Sequence, residues 1–433
     1  MAPTIAIVGA GPAGLTLARL LQVSDVPAAV TVFEKDTSPT ARVFQGGTLD
    51  LHPDTGIAAL KEAGLWETAR PHMRYDGDEL VVADKNATEF VHMKEPAEIE
   101  GSGARPEVDR ETLKQLLLES VPAGWIKWGK HLRRVDGETG LLTFDDGETA
   151  GPFDLVVGAD GAWSKVRPVL TDVQPRYSGI CGLVGHIATP STDYPKLSKM
   201  VGRGSYFAFP DCKSIMAQRL GDDRITISTW VMREESYPAD LLAMYGGDEE
   251  KLKQKILEPF EDWAPEIKEW VMASTVFRPW PLYELPVGHR WKHRKAFTLI
   301  GDSASLMTPV AGEGVNKALR DSLELAAAII ERLKSDGGPD LDAAVQKYEE
   351  IMFPRAEKVQ QETKLNKETE FRPDAPVGFM AAMVEAFAEE TGYNLNKGVL
   401  AWIPVTKMAY CFFWSLSTFS WWRRRLTSWV WGR

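Results

Sequence analysis

The hexapeptide Gly9-Ala10-Gly11-Pro12-Ala13-Gly14 constrains this chain more than any other feature, because of what flanks it. TIAIVGA, ending at Ala10, is an unbroken apolar run of strand length, and LTLARLLQVS, from Leu15, has apolar residues at helical spacing. AAVTVFEKD, from Ala28, reads as a second strand rich in β-branched residues and ending in an acid. A strand–helix–strand unit of this length predicts a parallel sheet with helix-covered faces. Gly9 permits the tight turn, Gly11 lets a diphosphate approach the backbone, and Gly14 lets helix and strand pack closely. The helix start then offers uncapped N–H groups and a positive dipole end to phosphates. Glu34 closes the second strand, where a carboxylate binds the ribose hydroxyls of a dinucleotide. A glycine-rich turn with no ligand would not need the helix start and the acid at these spacings.

Further along, RETLKQLLLES (110–120) has an amphipathic helical pattern, and FDLVVGADG (153–161) is another buried strand ending in a glycine turn. Residues 172–283 alternate in the β manner in SYFAF, SIMAQ and ITISTWV, with a helix near 249–258. This predicts an antiparallel sheet with helices inserted into the first domain. FTLIGDSA (297–304) returns to the buried-strand pattern, Val315–Lys334 is helical, and residues 341–390 are mostly helical.

Two further loops follow strands. In Gly158-Ala159-Asp160-Gly161-Ala162-Trp163-Ser164-Lys165-Val166-Arg167, two glycines flank an acid and two cations follow. Taken alone, the segment is equally a turn with Ser164 capping a helix start. The run from Ile300 to Asn316 places Asp302 at the carboxyl end of a strand, where open α/β sheets bind ligands. Pro309, Gly312 and Gly314 then lead into a helix, a loop able to lay backbone N–H groups against a cofactor. Singly, it reads as well as a loop with a solvated aspartate.

The order and separation of the three loops resemble the FAD-binding pattern of the class A flavoprotein monooxygenases. ARVFQGGTLDLH (41–52), PEVDR (106–110), SKVR (164–167) and AGEGVN (311–316) are similar to strings of the tetracycline-inactivating members, and the likeness spans roughly residues 4–372. The resemblance implies that Gly9, Gly11, Gly14, Glu34 and Lys35 hold the ADP half of FAD. It implies that Arg110, Asp160, Asp302, Pro309, Gly312 and Gly314 contact the remainder, with Asp50 near the flavin. Arg42 would receive NADPH, and a surface ion pair is the alternative use of Arg42 and Arg110. The implied fold class is α/β, a Rossmann-like FAD-binding domain with an inserted α+β substrate domain and C-terminal helices. The expected boundaries are 1–74, 101–171 and 284–340 for FAD binding, 75–100 and 172–283 for substrate, and 341–390 for a helical segment. Residues 391–433 form a separate tail.

The chain departs from the family in two places. The GD motif often continues to a histidine where this chain has Ser305, so no catalytic base is assigned. Val184 stands where the tetracycline-inactivating enzyme carries a glutamine, which argues against tetracycline as the natural substrate. The expected activity is insertion of one atom of molecular oxygen into a small, polycyclic or terpenoid-type molecule. A flavin halogenase, a flavin-dependent isoprenoid reductase and a non-catalytic FAD-sequestering protein are the rivals. The halogenase reading has a partial echo in Ala401-Trp402-Ile403-Pro404.

A net charge of −11 argues against nucleic acid. Three cysteines far apart in sequence argue against a disulfide framework or a zinc site, and fit an intracellular setting. The run Ile5–Val8 lacks a basic flank and reads as a strand, not a signal peptide. A monomer is expected. After Glu390 there is no acid, while six cations and six of the fifteen tryptophans gather there. That composition suits an interfacial membrane anchor, or else a helix packed on the body of the enzyme.

Overall fold

The computed structural model describes residues 2–41, 46–93, 105–335 and 340–379. The chain divides into two compact units, each threaded more than once. The first draws on the stretches up to Arg74, Arg105–Ser178 and Leu282–Lys364. The second draws, among the described residues, on 75–93, on Gly179–Pro281 and on 365–379.

The first unit is built on a five-stranded parallel sheet. Its strands stand in the order Phe297–Leu299, Leu155–Gly158, Thr4–Val8, Ala29–Phe33, Ile126–Lys127. Ile5, Ala6, Ile7, Val32, Leu155, Val156, Val157 and Leu299 are fully buried, as expected of strands covered on both faces. The helix Pro12–Val23 packs against the helix Gly314–Lys334. An antiparallel ribbon pairs Thr48–Asp50 with Glu107–Asp109, and the helix Arg110–Ser120 follows it directly. A small antiparallel sheet of Leu132–Val135, Leu142–Phe144 and Thr149–Ala150 also belongs to this unit.

The second unit holds most of a seven-stranded sheet in the order Thr275–Glu284, Arg176–Ile187, Ile225–Met232, Lys213–Arg219, Ser205–Ala208, Leu80–Ala83, Glu89–Met93. The sheet is antiparallel from Arg176–Ile187 through Ser205–Ala208. One pairing departs from the expected pattern: Ser205–Ala208 runs parallel to Leu80–Ala83. Leu80–Ala83 arrives from a different stretch of chain, so no hairpin dictates its direction. Trp270, fully buried on the helix Pro265–Ala273, stacks edge-on against Tyr206 with ring centroids 4.9 Å apart. The helix expected near 249–258 spans Glu249–Leu257 and is capped by Asp248, which accepts from the Lys251 N–H.

The expected helix at 315–334 is Gly314–Lys334, and of the expected helical segment 341–390 the helix Asp342–Glu370 is observed, while residues 380–390 lie outside the described residues. Among the described residues no helix is long and apolar enough to cross a membrane. The tail 391–433, with its Trp402–Pro404 echo, lies outside the described residues.

Candidate active site

The carboxyl edge of the parallel sheet gathers loops that are far apart in sequence. In strand order, Asp302 follows Phe297–Leu299, Asp160 follows Leu155–Gly158, the glycine turn follows Thr4–Val8, and Glu34 follows Ala29–Phe33. Backbone hydrogen bonds continue the ladder into these loops: Ile300 N–H to Gly158 O (2.9 Å), Ala159 N–H to Val8 O (2.8 Å) and Gly9 N–H to Phe33 O (2.8 Å). This is the edge at which open α/β sheets bind ligands.

The three glycines of the turn differ physically. Gly9 sits at φ +110°, and a Cβ there would lie 2.3 Å from Ala159 O. A Cβ on Gly14 would lie 2.0 Å from Gly9 O. Gly11, the N-cap of the helix Pro12–Val23, has no heavy atom within 4 Å of a Cβ, and no side chain caps that helix end. Gly314, which begins the helix Gly314–Lys334, is alike: open space at its Cβ and no capping side chain. Two helix starts thus offer room and positive dipole ends to anionic groups.

Glu34 is 8% exposed. Its Oε2 accepts from the Ala10 N–H at 2.7 Å and its Oε1 from the Asp36 N–H at 2.9 Å. The carboxylate therefore shapes the glycine turn, and its remaining acceptor capacity is left for a ligand hydroxyl. Lys35 is exposed beside it.

Asp160 stitches the second loop to the third. Its Oδ1 accepts from Ser303 Oγ at 3.2 Å and its Oδ2 from the Lys165 N–H at 2.7 Å, while Ser303 Oγ accepts from the Gly161 N–H at 2.9 Å. Ser164 does not cap a helix start: the short 3-10 turn Arg167–Val169 has Val166 at its N-cap position and no capping side chain, and Ser164 instead braces the loop that enters it. Its Oγ accepts from the Val166 N–H (3.2 Å) and the Arg167 N–H (3.0 Å).

Asp302 and Arg110 are both exposed at this edge, and each is surrounded by enough protein to be partly desolvated. Burial pushes the Asp302 carboxyl above its ordinary value; Lys317, Arg110 and Arg167 pull it back, and Asp321 opposes them. Burial likewise pulls Arg110 down, with Asp302 opposing. Asp50 reaches the same region through the ribbon, where it stands opposite Glu107. Pro309 opens a 3-10 turn that ends at Gly312, and a Cβ on Gly312 would lie 3.3 Å from Asp50 Oδ1. Arg42 lies outside the described residues.

Several residues that shape this edge were assigned no role in the site from the sequence, although Arg167 stood among the cations of the second loop. Arg167 is 1% exposed and donates from Nε to Ser303 O (3.2 Å) and from Nη1 to Ala162 O (2.9 Å), clamping the second loop to the third. Lys317 and Asp321 form a buried pair at 2.8 Å. Lys317 Nζ donates to Gly301 O (3.1 Å), Asp321 Oδ2 accepts from the Gly301 N–H (2.8 Å), and Arg355 donates to Asp321 Oδ1 (2.9 Å). In sequence, Lys317 and Asp321 are an i,i+4 pair, which usually decorates a solvent face. His289 supplies an imidazole beside the GD motif from outside it, its Nδ1 3.0 Å from Ala304 O. Burial lowers its basicity. Ser305 is 1% exposed, and neither its Oγ nor His289 Nε2 has a hydrogen-bond partner among the described residues. Among the described residues no group of His, Cys, Asp and Glu is placed to hold a metal ion.

The FAD binding domain family matches residues 2–363. The chain is 31% identical over 440 residues to the monooxygenase asqM of Emericella nidulans, covering 88% of this chain and 98% of that one. It is 33% identical over 408 residues to the monooxygenase penA of Penicillium thymicola, covering 82% and 92%. The tetracycline destructase Tet(51) shares the fold, with a TM-score of 0.63 at 18% identity over 91% of this chain and 99% of that one. These relationships decide between oxygenation and the rival readings: the chain belongs to the FAD binding domain family and is an FAD-dependent monooxygenase of class A.

Proposed function

We propose that the groove at the sheet edge holds FAD, and that the chain uses NADPH and molecular oxygen to oxygenate a small polycyclic or terpenoid-type molecule in secondary metabolism or xenobiotic modification. The observation that carries this reading is the contrast within the glycine turn. Gly9 and Gly14 leave no room for a side chain, while Gly11 fronts open space at an uncapped helix start. The residues fit the cofactor by that test. Gly11 and the first helical turn receive its diphosphate, with Glu34 and Lys35 at the adenosine ribose. Asp302 and Arg110 put opposite charges in one groove, suited to the polar middle of the molecule. Asp160 holds the groove wall in shape. Asp50, Pro309, Gly312 and Gly314 meet the isoalloxazine ring, with the helix start at Gly314 favouring negative charge there.

When bound, FAD supplies hydride acceptance and oxygen activation. The protein's own tasks are to orient substrate, exclude water and receive the reductant. Arg42 pairs with the phosphates of NADPH in this reading. The first unit would carry the cofactor and the second the substrate. Residues 391–433 would bring the enzyme to an anionic membrane surface through tryptophans and arginines. The test is incubation with NADPH, 18O-labelled oxygen and a panel of polycyclic aromatics and terpenoids. A product carrying one labelled atom, formed with NADPH consumption, is expected. NADPH oxidation that yields peroxide alone across the panel would remove the substrate class. Unchanged flavin reduction in Arg42→Ala would remove Arg42 from the site.

A further inference from the structure

An imidazole lies between two carboxylates beside the glycine loop. His52 Nε2 is 2.9 Å from Asp50 Oδ2, and His52 Nδ1 is 3.4 Å from Glu313 Oε1. The His52 side chain is 13% exposed, against 34% for Asp50 and 25% for Glu313. The backbone beneath is pinned. Asn316, fully buried in the first turn of Gly314–Lys334, accepts from the His52 N–H (2.9 Å) and donates to Asp50 O (2.9 Å), and Thr55 Oγ1 donates to it as well (3.1 Å). Asp50 and His52 are therefore held at the start of the helix Gly314–Lys334, which Glu313 immediately precedes, and the three side chains meet there.

Two carboxylates on one imidazole repel each other unless a proton sits among the three groups. The other charged groups bearing on Glu313 are Arg105, which favours its ionised form, and Glu362, which opposes it. Burial pushes the Glu313 carboxyl upward, His52 opposes that, and Asp50 adds to it. Gly312, whose Cβ would stand 3.3 Å from Asp50 Oδ1, adjoins Glu313 in the chain, so both carboxylates border the same loop.

We propose that Asp50, His52 and Glu313 share a proton, with His52 as the positioning residue that carries it between the two carboxylates, and that this charge state sets how the loop Pro309–Gly312 meets the flavin. The proposal rests on the FAD reading of the groove. Movement of the proton is balanced within the trio: a proton taken from Glu313 at Nδ1 is matched by one given from Nε2 to Asp50, and the reverse restores the ring. Loss of the shared proton leaves an uncompensated negative charge beside the loop.

The test is a pH titration of the holoenzyme from about pH 5 to about pH 9, the window in which imidazoles exchange protons, following the visible absorption of the bound flavin. Wild type is expected to show one pH-dependent shift of the flavin band. His52→Gln should retain FAD and lose the shift, and Glu313→Gln should move the shift along the pH axis. A flavin band in wild type that ignores pH, or a shift that survives unchanged in both variants, would overturn the proposal and leave the FAD reading intact. If His52→Gln fails to fold, Glu313→Gln decides: an unmoved shift overturns the proposal. Protein that carries no flavin in any form would overturn the FAD reading, and this proposal with it.

Discussion

The two units solve opposite problems with their sheets. The parallel sheet of the first unit gathers unlike loops at its carboxyl edge, where Gly9, Glu34, Asp160 and Asp302 follow neighbouring strands. The mixed sheet of the second unit exists to pack, with Tyr206, Ile215, Ala217, Ile225 and Ile227 fully buried. Where a backbone must approach itself or a ligand within van der Waals contact, few residue types are admissible, so the sequence shows a motif. Where the requirement is apolar volume, many residue combinations suffice.

The largest effect that would sharpen this contrast is in the packed unit. Trp270→Ala removes a fully buried ring stacked on Tyr206 and should cost about 3–5 kcal/mol. Chemical denaturation measures that loss. The folded fraction should still bind FAD with wild-type affinity; a parallel collapse of FAD affinity would break the distinction between the units. Next, Gly14→Ala would drive a Cβ into Gly9 O, and should cost about 1–3 kcal/mol through forced backbone shifts. It should also release FAD, read as flavin lost on gel filtration. A variant that melts and binds as wild type does would mean the helix–strand contact is looser than described.

A smaller effect separates the units by pH. Glu370, 5% exposed at the end of its helix in the second unit, has its carboxyl pushed up to about 8 by burial, with Ser214 opposing. Its folded value lies above its unfolded one, so the unfolded chain ionises first as pH rises. Stability should therefore fall, by about 1.4 kcal/mol per pH unit, between the ordinary glutamate range and about pH 8. Glu370→Gln should flatten that slope and raise the melting temperature at neutral pH. An unaltered slope in denaturation curves across that range would remove Glu370 as its source. Smallest for the fold is truncation after Glu390, which should abolish flotation with anionic liposomes and leave melting and FAD content unchanged. A shortened protein that still floats, or that melts far earlier, would contradict the anchor reading.

Much of the first unit was legible because its constraints are local. The glycine spacing, the acid ending the second strand and the GD turn each follow from backbone geometry within a short window. The helix bounds 110–120 agree with Arg110–Ser120 because its amphipathic pattern is bracketed by a strand and a turn. What stayed hidden depends on partners far away in the chain. Arg167 was read within a capped turn, but its guanidinium is spent on the carbonyls of Ala162 and Ser303. The Lys317–Asp321 pair looks like surface decoration until Gly301 and Arg355 are seen to bury it. His289 serves the GD motif from outside it, and no spacing rule links residues 289 and 304. The parallel pairing of Ser205–Ala208 with Leu80–Ala83 was hidden for the same reason, since alternation reports which face is buried and not which neighbour a strand takes.

Gly11 tests most directly whether the parallel-sheet edge holds the cofactor, because a side chain there meets open space and not protein. The measurement is FAD per chain, released by acid and counted by absorbance, for wild type and Gly11→Val side by side, with the melting curve of each apoprotein as the control for folding. Wild type should carry about one non-covalent FAD per chain, and Gly11→Val should melt normally yet retain a small fraction of that flavin. Full flavin occupancy in Gly11→Val, or a colourless wild type that takes up no added FAD, would contradict cofactor binding at this edge.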